Sequence, residues 1–116
     1  MPLRDQIRKG STEILLLSLL AEEPMYGYQI SQELHRRSRG YFDMKEGLLY
    51  PTLHRMQQER LLKSEWRQAG EARRRKYYAI TDKGRRVLGE QSAEWRAFIE
   101  MLLHLLGTAP DAAESS

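Results

Sequence analysis

The chain has 116 residues, 41% of them hydrophobic, which suits one domain with one modest core. It contains no cysteine, so disulfides and thiolate metal sites are excluded and a reducing compartment is allowed. The net charge of +3 is unevenly spread: residues 1–80 carry 15 Lys and Arg against 10 Asp and Glu, residues 81–116 carry 4 against 6, and only the first two-thirds suits an anionic partner.

Residues 1–10 are polar and basic, and either extend the first helix or lie as an arm. Residues 11–22 read as a helix with Ile14, Leu15, Leu17, Leu19 and Leu20 apolar on more than one side, hence widely buried. The longest apolar run near the start, residues 14–21, falls short of the roughly 18–20 residues that cross a bilayer. It follows charged residues and lacks a small-residue cleavage site, so a cytoplasmic protein without a signal peptide or membrane contact is expected. Pro24 closes this helix. Residues 26–34 form a second, with Ile30 and Leu34 inward and Gly27 allowing close approach of another backbone. Arg36, Arg37 and Arg39 sit at its negative end before Gly40, and read as helix-end solvation rather than contacts.

Residues 47–62 read as a third helix. Leu49, Leu53 and Met56 step by four and three onto a core, with Leu61 and Leu62 beyond. The opposite side carries Tyr50, His54, Arg55 and Gln58, all able to hydrogen-bond. Pro51 is expected near the front, where a first-turn amide has no helical partner to lose. Two strands follow, 62–67 and 73–80, around a tip at Gly70, Glu71 and Ala72. Tyr78 and Ile80 share one face, and Trp66 is expected in the core. Arg73, Arg74, Arg75 and Lys76 make a cationic block at the hairpin. Thr81 is a good N-cap, with Asp82 in the first turn of a long helix reaching residue 106. In it Leu88, Trp95 and Leu102 recur every seven residues, as do Gln91, Phe98 and Leu105, an a/d seam that its own small domain cannot cover. A homodimer is the simplest partner arrangement.

The expected fold is mainly α with a small β-hairpin (α+β). It is a winged helix-turn-helix over residues 1–80, a dimerisation helix over 81–106 and a small, polar, disordered tail over 107–116.

Three stretches in this order and spacing resemble the PadR family of bacterial transcription regulators, in particular its short members with a single C-terminal helix. They are Tyr26-Gly27-Tyr28-Gln29-Ile30, then Glu46-Gly47-Leu48-Leu49-Tyr50-Pro51-Thr52-Leu53-His54-Arg55-Met56, then the run from Arg73 through Tyr77-Tyr78 and Thr81 to Gly84. The resemblance runs from about Gly10 to Leu106 and implies a dimeric winged-helix repressor or activator. One position departs: Leu48 stands where such proteins carry Ser or Thr, so that hydroxyl is missing, and Lys45 or Thr52 is the nearest polar replacement.

The expected function is a homodimeric, sequence-specific regulator, a repressor on a pseudo-palindromic operator in double-stranded DNA. Lys45, Tyr50, His54, Arg55 and the wing cations Arg73, Arg74, Arg75 and Lys76 are the candidate phosphate contacts, which supply affinity through counterion release. Thr52, Arg55 and Gln58 are the candidate base readers; the chain has no Asn, so a bidentate adenine contact needs Gln. Tyr50 has two readings, a phosphate hydrogen bond or a ring packed on the second helix. The resemblance further implies that some short members bind flat aromatic compounds between two tryptophans at the dimer centre. Trp95 occupies that position, with Phe98 and Gln91 beside it and Ile7, Ser11 and Ile14 as weaker lining candidates. Against this stands plain interface packing.

No cofactor, metal or enzymatic chemistry is expected. His35, His54 and His104 lie in separate elements, G-x-S-x-G is absent, and the Gly84 to Gly89 spacing lacks the Lys-Ser/Thr of a phosphate loop. The alternative function is a winged-helix module that contacts proteins, without an effector.

Overall fold

A computed structural model of the chain describes residues 3–107. Four helices and three strands follow in the order α1 (Leu3–Leu20), β1 (Met25–Tyr26), α2 (Gly27–Arg37), α3 (Glu46–Gln58), β2 (Leu62–Gln68), β3 (Arg74–Ile80) and α4 (Asp82–Leu106). The fold is α+β, as expected, with one addition. Residues 25–26 form a short strand on the outer edge of β3, so the sheet is three-stranded and antiparallel in the order β1-β3-β2. Two residues are too few for a period-2 pattern to register.

The polar start of the chain extends α1 rather than lying as an arm. Leu16, Leu17, Leu19 and Leu20 of α1, Ile30 and Leu34 of α2, and Leu49, Leu53 and Met56 of α3 meet in one core, closed by Met25, Leu62, Tyr78 and Ile80 from the sheet. The third helix is shorter than its pattern suggests. It begins at Glu46, with Lys45 as N-cap, and ends at Gln58. Arg60 turns the chain with φ +65, so Leu61 and Leu62 reach the core from outside the helix. The earlier start places Pro51 in the second turn, not the first; with no N–H to give, it leaves the Gly47 carbonyl without its helical donor. Gly47 is exposed, where water can serve that oxygen.

The start of α4 is anchored on this corner. Thr81 caps the helix by accepting from the Gly84 amide at 3.0 Å, as its sequence position predicts. Its own amide donates to the Leu61 carbonyl at 3.0 Å, and its hydroxyl lies 2.6 Å from the Arg60 carbonyl. Lys83 Nζ donates to the Glu59 carbonyl at 2.9 Å, satisfying an oxygen at the negative end of α3. Gly84 is buried directly against the Leu61 carbonyl, and a Cβ there would come within 2.7 Å of Ile80 Cγ1. The helix then leaves the domain. Val87 and Leu88 still pack on the core, but Phe98, Ile99, Met101, Leu102, Leu103, Leu105 and Leu106 are all exposed. Gly107 stops α4 in the left-handed conformation at φ 66; the expectation of a disordered tail otherwise falls on residues 108–116, outside the described residues.

Gly84→Ala sets a methyl against both the Leu61 carbonyl and the Ile80 side chain, so both must give or the start of α4 must shift. Overpacking of this kind costs roughly 1–3 kcal/mol. We expect a lower midpoint in urea unfolding for Gly84→Ala, and a slightly raised midpoint for Gly89→Ala, a mid-helix glycine whose Cβ position is open.

Candidate nucleic-acid interface

Side chains from α2, α3 and the β2–β3 hairpin line one groove of about 570 Å³, with Tyr26, Gly27, Tyr28, Tyr50 and Trp66 on its walls and Arg73, Arg74, Arg75 and Lys76 around its rim. Tyr50 is fixed by Gly27. A Cβ on Gly27 would lie 2.6 Å from Tyr50 Cζ, so the ring rests directly on the α2 backbone. The close approach that Gly27 permits is thus by a side chain, and the backbone approach belongs to Gly84. Tyr50 packs on α2 and still keeps 41% of its surface open in the groove. Its two sequence readings are compatible.

The register of the hairpin divides the cationic block. Trp66 pairs with Lys76, Ser64 with Tyr78 and Leu62 with Ile80, which places Arg74, Lys76 and Trp66 on the face that continues the core outward. Arg75 and Tyr77 lie on the other face, opposite Arg67 and Glu65. Three cations of the block and Arg67 stand over rings: Arg74 over Trp66 at 5.6 Å, Lys76 over Tyr78 at 5.6 Å, Arg75 over Tyr26 at 4.4 Å and Arg67 over Tyr77 at 4.5 Å. Such contacts are worth about 0.5–1 kcal/mol each at exposed sites and hold long side chains in place. Trp66 is therefore not a core residue. It is 57% exposed, because the sheet has already left the core two residues before it, at Ser64.

Charge pairing separates the cations further. Among the described residues the ion pairs engage Arg8, Arg36, Arg37, Lys45, Arg55 and Arg67, and none engages Arg73, Arg74, Arg75 or Lys76. Arg36 and Arg37 hydrogen-bond to Glu33, holding its carboxyl down at about 2. Arg37 also grips Glu22 at 2.6 Å and so ties α2 to the turn after α1, while Arg36 pairs only within α2.

The outermost strip of α3 is Gly47, Pro51, His54 and Gln58, at steps of four, three and four, all exposed. Among the described residues, His54 and Gln58 make no side-chain hydrogen bond or ion pair there, whereas Thr52 and Arg55 are engaged by other groups. Thr52 is half-buried and donates its hydroxyl to the Leu48 carbonyl at 2.8 Å. Arg55 turns toward α1, donating to Glu59 at 3.0 Å and to Glu13 at 3.2 Å; the Glu59 hydrogen bond is the main reason its pKa is raised. Lys45 is exposed at the front of α3, 3.5 Å from Asp43.

The second group of candidates also comes together. Gln91, Trp95 and Phe98 line a cavity of about 440 Å³ with Glu94, Gly10 and Glu13. The Trp95 and Phe98 rings meet edge-on, 6.1 Å apart at 87°. Gly10 and Glu13 occupy the α1 wall in place of Ile7, Ser11 and Ile14. Glu13 had no sequence signal, since its partner Gln91 is 78 positions away. Tyr26, Tyr28 and Trp66 were likewise missed as groove residues; alternation with the cations on paired strands could have found Trp66, but Tyr26 and Tyr28 lie in a two-residue strand and on α2.

A helix-turn-helix, a cationic hairpin and an open aromatic groove between them define a winged-helix DNA-binding regulator. The sequence profile described as the transcriptional regulator PadR-like family matches residues 16–90, and the chain belongs to that family. Transcriptional regulator Rv3488 of Mycobacterium tuberculosis is 32% identical over 102 residues, covering 88% of this chain and 89% of its own. A PadR-like transcriptional regulator of Bacillus cereus superimposes with a TM-score of 0.78 at 36% identity, covering 87% of this chain and 96% of its own. A PadR family regulator of Eggerthella lenta does so with a TM-score of 0.77 at 36% identity, covering 90% and 88%. The protein is thus a transcriptional regulator and not an enzyme. Among the described residues no helix is long and apolar enough to cross a membrane, and no cluster of metal-ligating side chains occurs.

Gly27→Ala tests how Tyr50 is held. The added methyl overlaps the outer edge of the Tyr50 ring and no backbone atom among its nearest contacts, so the fold should survive while Tyr50 is displaced. Affinity for duplex DNA, read by fluorescence anisotropy, is expected to fall about as far as in Tyr50→Ala; a Gly27→Ala chain that binds like wild type would refute this placement.

Proposed function

We propose that two copies of the chain, joined through α4, bind a pseudo-palindromic operator as a repressor in the cytoplasm, and that a small planar aromatic effector relieves it. In this division residues 1–80 bind DNA, residues 81–106 join the two copies, and residues 107–116 are a tail. The observation that carries the reading is the groove whose cations lack acidic partners. Arg73, Arg74, Arg75 and Lys76, with the Tyr50 hydroxyl, take phosphates, Lys45 outside the groove adds one once it leaves Asp43, and His54 and Gln58 take base edges. Gln58 is then the residue for a bidentate adenine contact. Thr52 and Arg55 move from base reading to positions beside it.

The dimer is supported by the open apolar half of α4, where Leu105 is 72% and Leu106 61% exposed. Two copies crossing there hold their α3 helices at a spacing that must approach one duplex turn, roughly 34 Å, for both to enter one face of the DNA. The effector is supported by the cavity walled by Trp95, Phe98 and Gln91, apolar on one side and hydrogen-bonding on the other.

A mobility shift with DNA from upstream of the encoding gene tests the main reading. Each of Arg74→Ala and Lys76→Ala should weaken binding for any duplex sequence and reduce the slope of log K against log salt by about one. Absence of any retarded duplex at low salt would favour the protein-contact use of the same fold. For the effector, planar aromatic dyes should quench Trp fluorescence in wild type and not in Trp95→Ala, while sedimentation gives the mass of two chains for both; a lone chain, or equal quenching, goes against the proposal.

A further inference from the structure

We propose that Glu13 couples the α1–α4 cavity to the recognition helix, an inference that rests on the DNA-binding reading of α3 above. One carboxylate serves two elements. Its Oε1 accepts from Arg55 Nη1 of α3 at 3.2 Å, and its Oε2 accepts from Gln91 Nε2 of α4 at 2.9 Å. Glu13 also stands between two cavities. It lines the one of about 440 Å³ with Gln91 and Trp95, and a second of about 530 Å³ that it shares with Thr52 and Arg55. Its side chain is only 24% exposed, so protein donors, more than water, set the direction of the carboxylate.

The two oxygens belong to one rigid plane. A turn that follows one partner alters the hydrogen bond to the other. A molecule in the cavity that takes the Gln91 amide, or donates to Glu13 itself, therefore changes the hold on Arg55. The remaining anion of Arg55 is Glu59, one turn along its own helix at 3.0 Å. Freed from Glu13, Arg55 is tied to α3 alone and can swing from α1 toward the exposed strip that His54 and Gln58 occupy. In the arrangement observed, Glu13 keeps a half-exposed cation back from the duplex. The coupling needs no movement of a helix, only reorientation of one carboxylate between two donors.

The test uses the full chain with ¹⁵N-labelled arginine, the Arg55 guanidinium signal being assigned by its loss in Arg55→Lys. Gln91→Glu, which sets a second carboxylate against Glu13, and Gln91→Leu, which removes the donor, are each expected to shift that signal. In a Glu13→Ala background, which removes the shared plane, the same substitutions should leave it still. Against labelled duplex from upstream of the encoding gene, Gln91→Leu should change affinity about fivefold, within the usual range for coupled sites, and the change should vanish when Glu13 is Ala. An Arg55 signal that ignores both Gln91 substitutions, in chains whose other arginine signals are native, overturns the coupling. A wild-type chain that retains no duplex would sink the DNA-binding reading alone, and the Arg55 signal would still decide for or against Glu13.

Discussion

The Leu61 carbonyl is the point on which the geometry of this molecule turns. It accepts the Thr81 amide, lies beside the Thr81 hydroxyl and is covered by the bare α-carbon of Gly84. Those contacts fasten the first turn of α4 to the residues that end α3, and the Lys83 bond to the Glu59 carbonyl adds a further tie. The element that would enter DNA and the element that would join two copies are thus welded within a few residues of each other. Little slack remains in the angle between them. In a two-fold assembly that angle, together with the crossing point on α4, sets how far apart the two α3 helices stand.

The same economy governs charge. A cation serves structure where an acid meets it and stays available where none does. Arg36 is met by Glu33 within α2, Arg37 by Glu33 and by Glu22 after α1, and Arg55 by Glu59 and Glu13. The hairpin cations are steadied by aromatic faces instead, which orient a guanidinium without neutralising it. A phosphate approaching that hairpin meets full positive charge on side chains whose freedom is already reduced. Less entropy is then lost on binding than for the same residues on a bare strand.

Much of this was legible in the sequence, and the parts that were not share a cause. Local chemistry carried its own signal: the inward steps of Leu49, Leu53 and Met56, the Thr81 cap, the turn at Gly70 and the alternation of Tyr78 and Ile80. Failures came where a neighbour distant in sequence decides. The third helix stops at a left-handed arginine, Arg60, because Leu61 is drawn into the core and Thr81 bonds to the carbonyls beside it, and no glycine marks the place. Trp66 reads as core because a large ring on an alternating strand usually is, but only the pairing register reveals that its neighbour across the sheet is Lys76 rather than a buried residue. The pair between Arg55 and Glu13 was hidden in the same way, because the acid lies on α1, which only the fold brings alongside α3.

That last case has a general consequence for the site. On a recognition helix, the residues that look most able to read DNA are long and charged, and such residues are also the ones a neighbouring acid can capture. Shorter polar groups on the outermost strip escape capture because nothing folds over them. His54 and Gln58 lie on that strip, flanked by the small exposed surfaces of Gly47 and Pro51, which would let the helix sit deep in a groove. In the reading proposed above, the wing would supply affinity from unneutralised cations, and the strip would supply selectivity from hydrogen-bonding side chains. Arg55 stands between the two roles, its charge held in reserve by an acid on α1. A chain arranged in this way can change its grip on DNA by releasing one side chain, without remaking the fold that positions the rest.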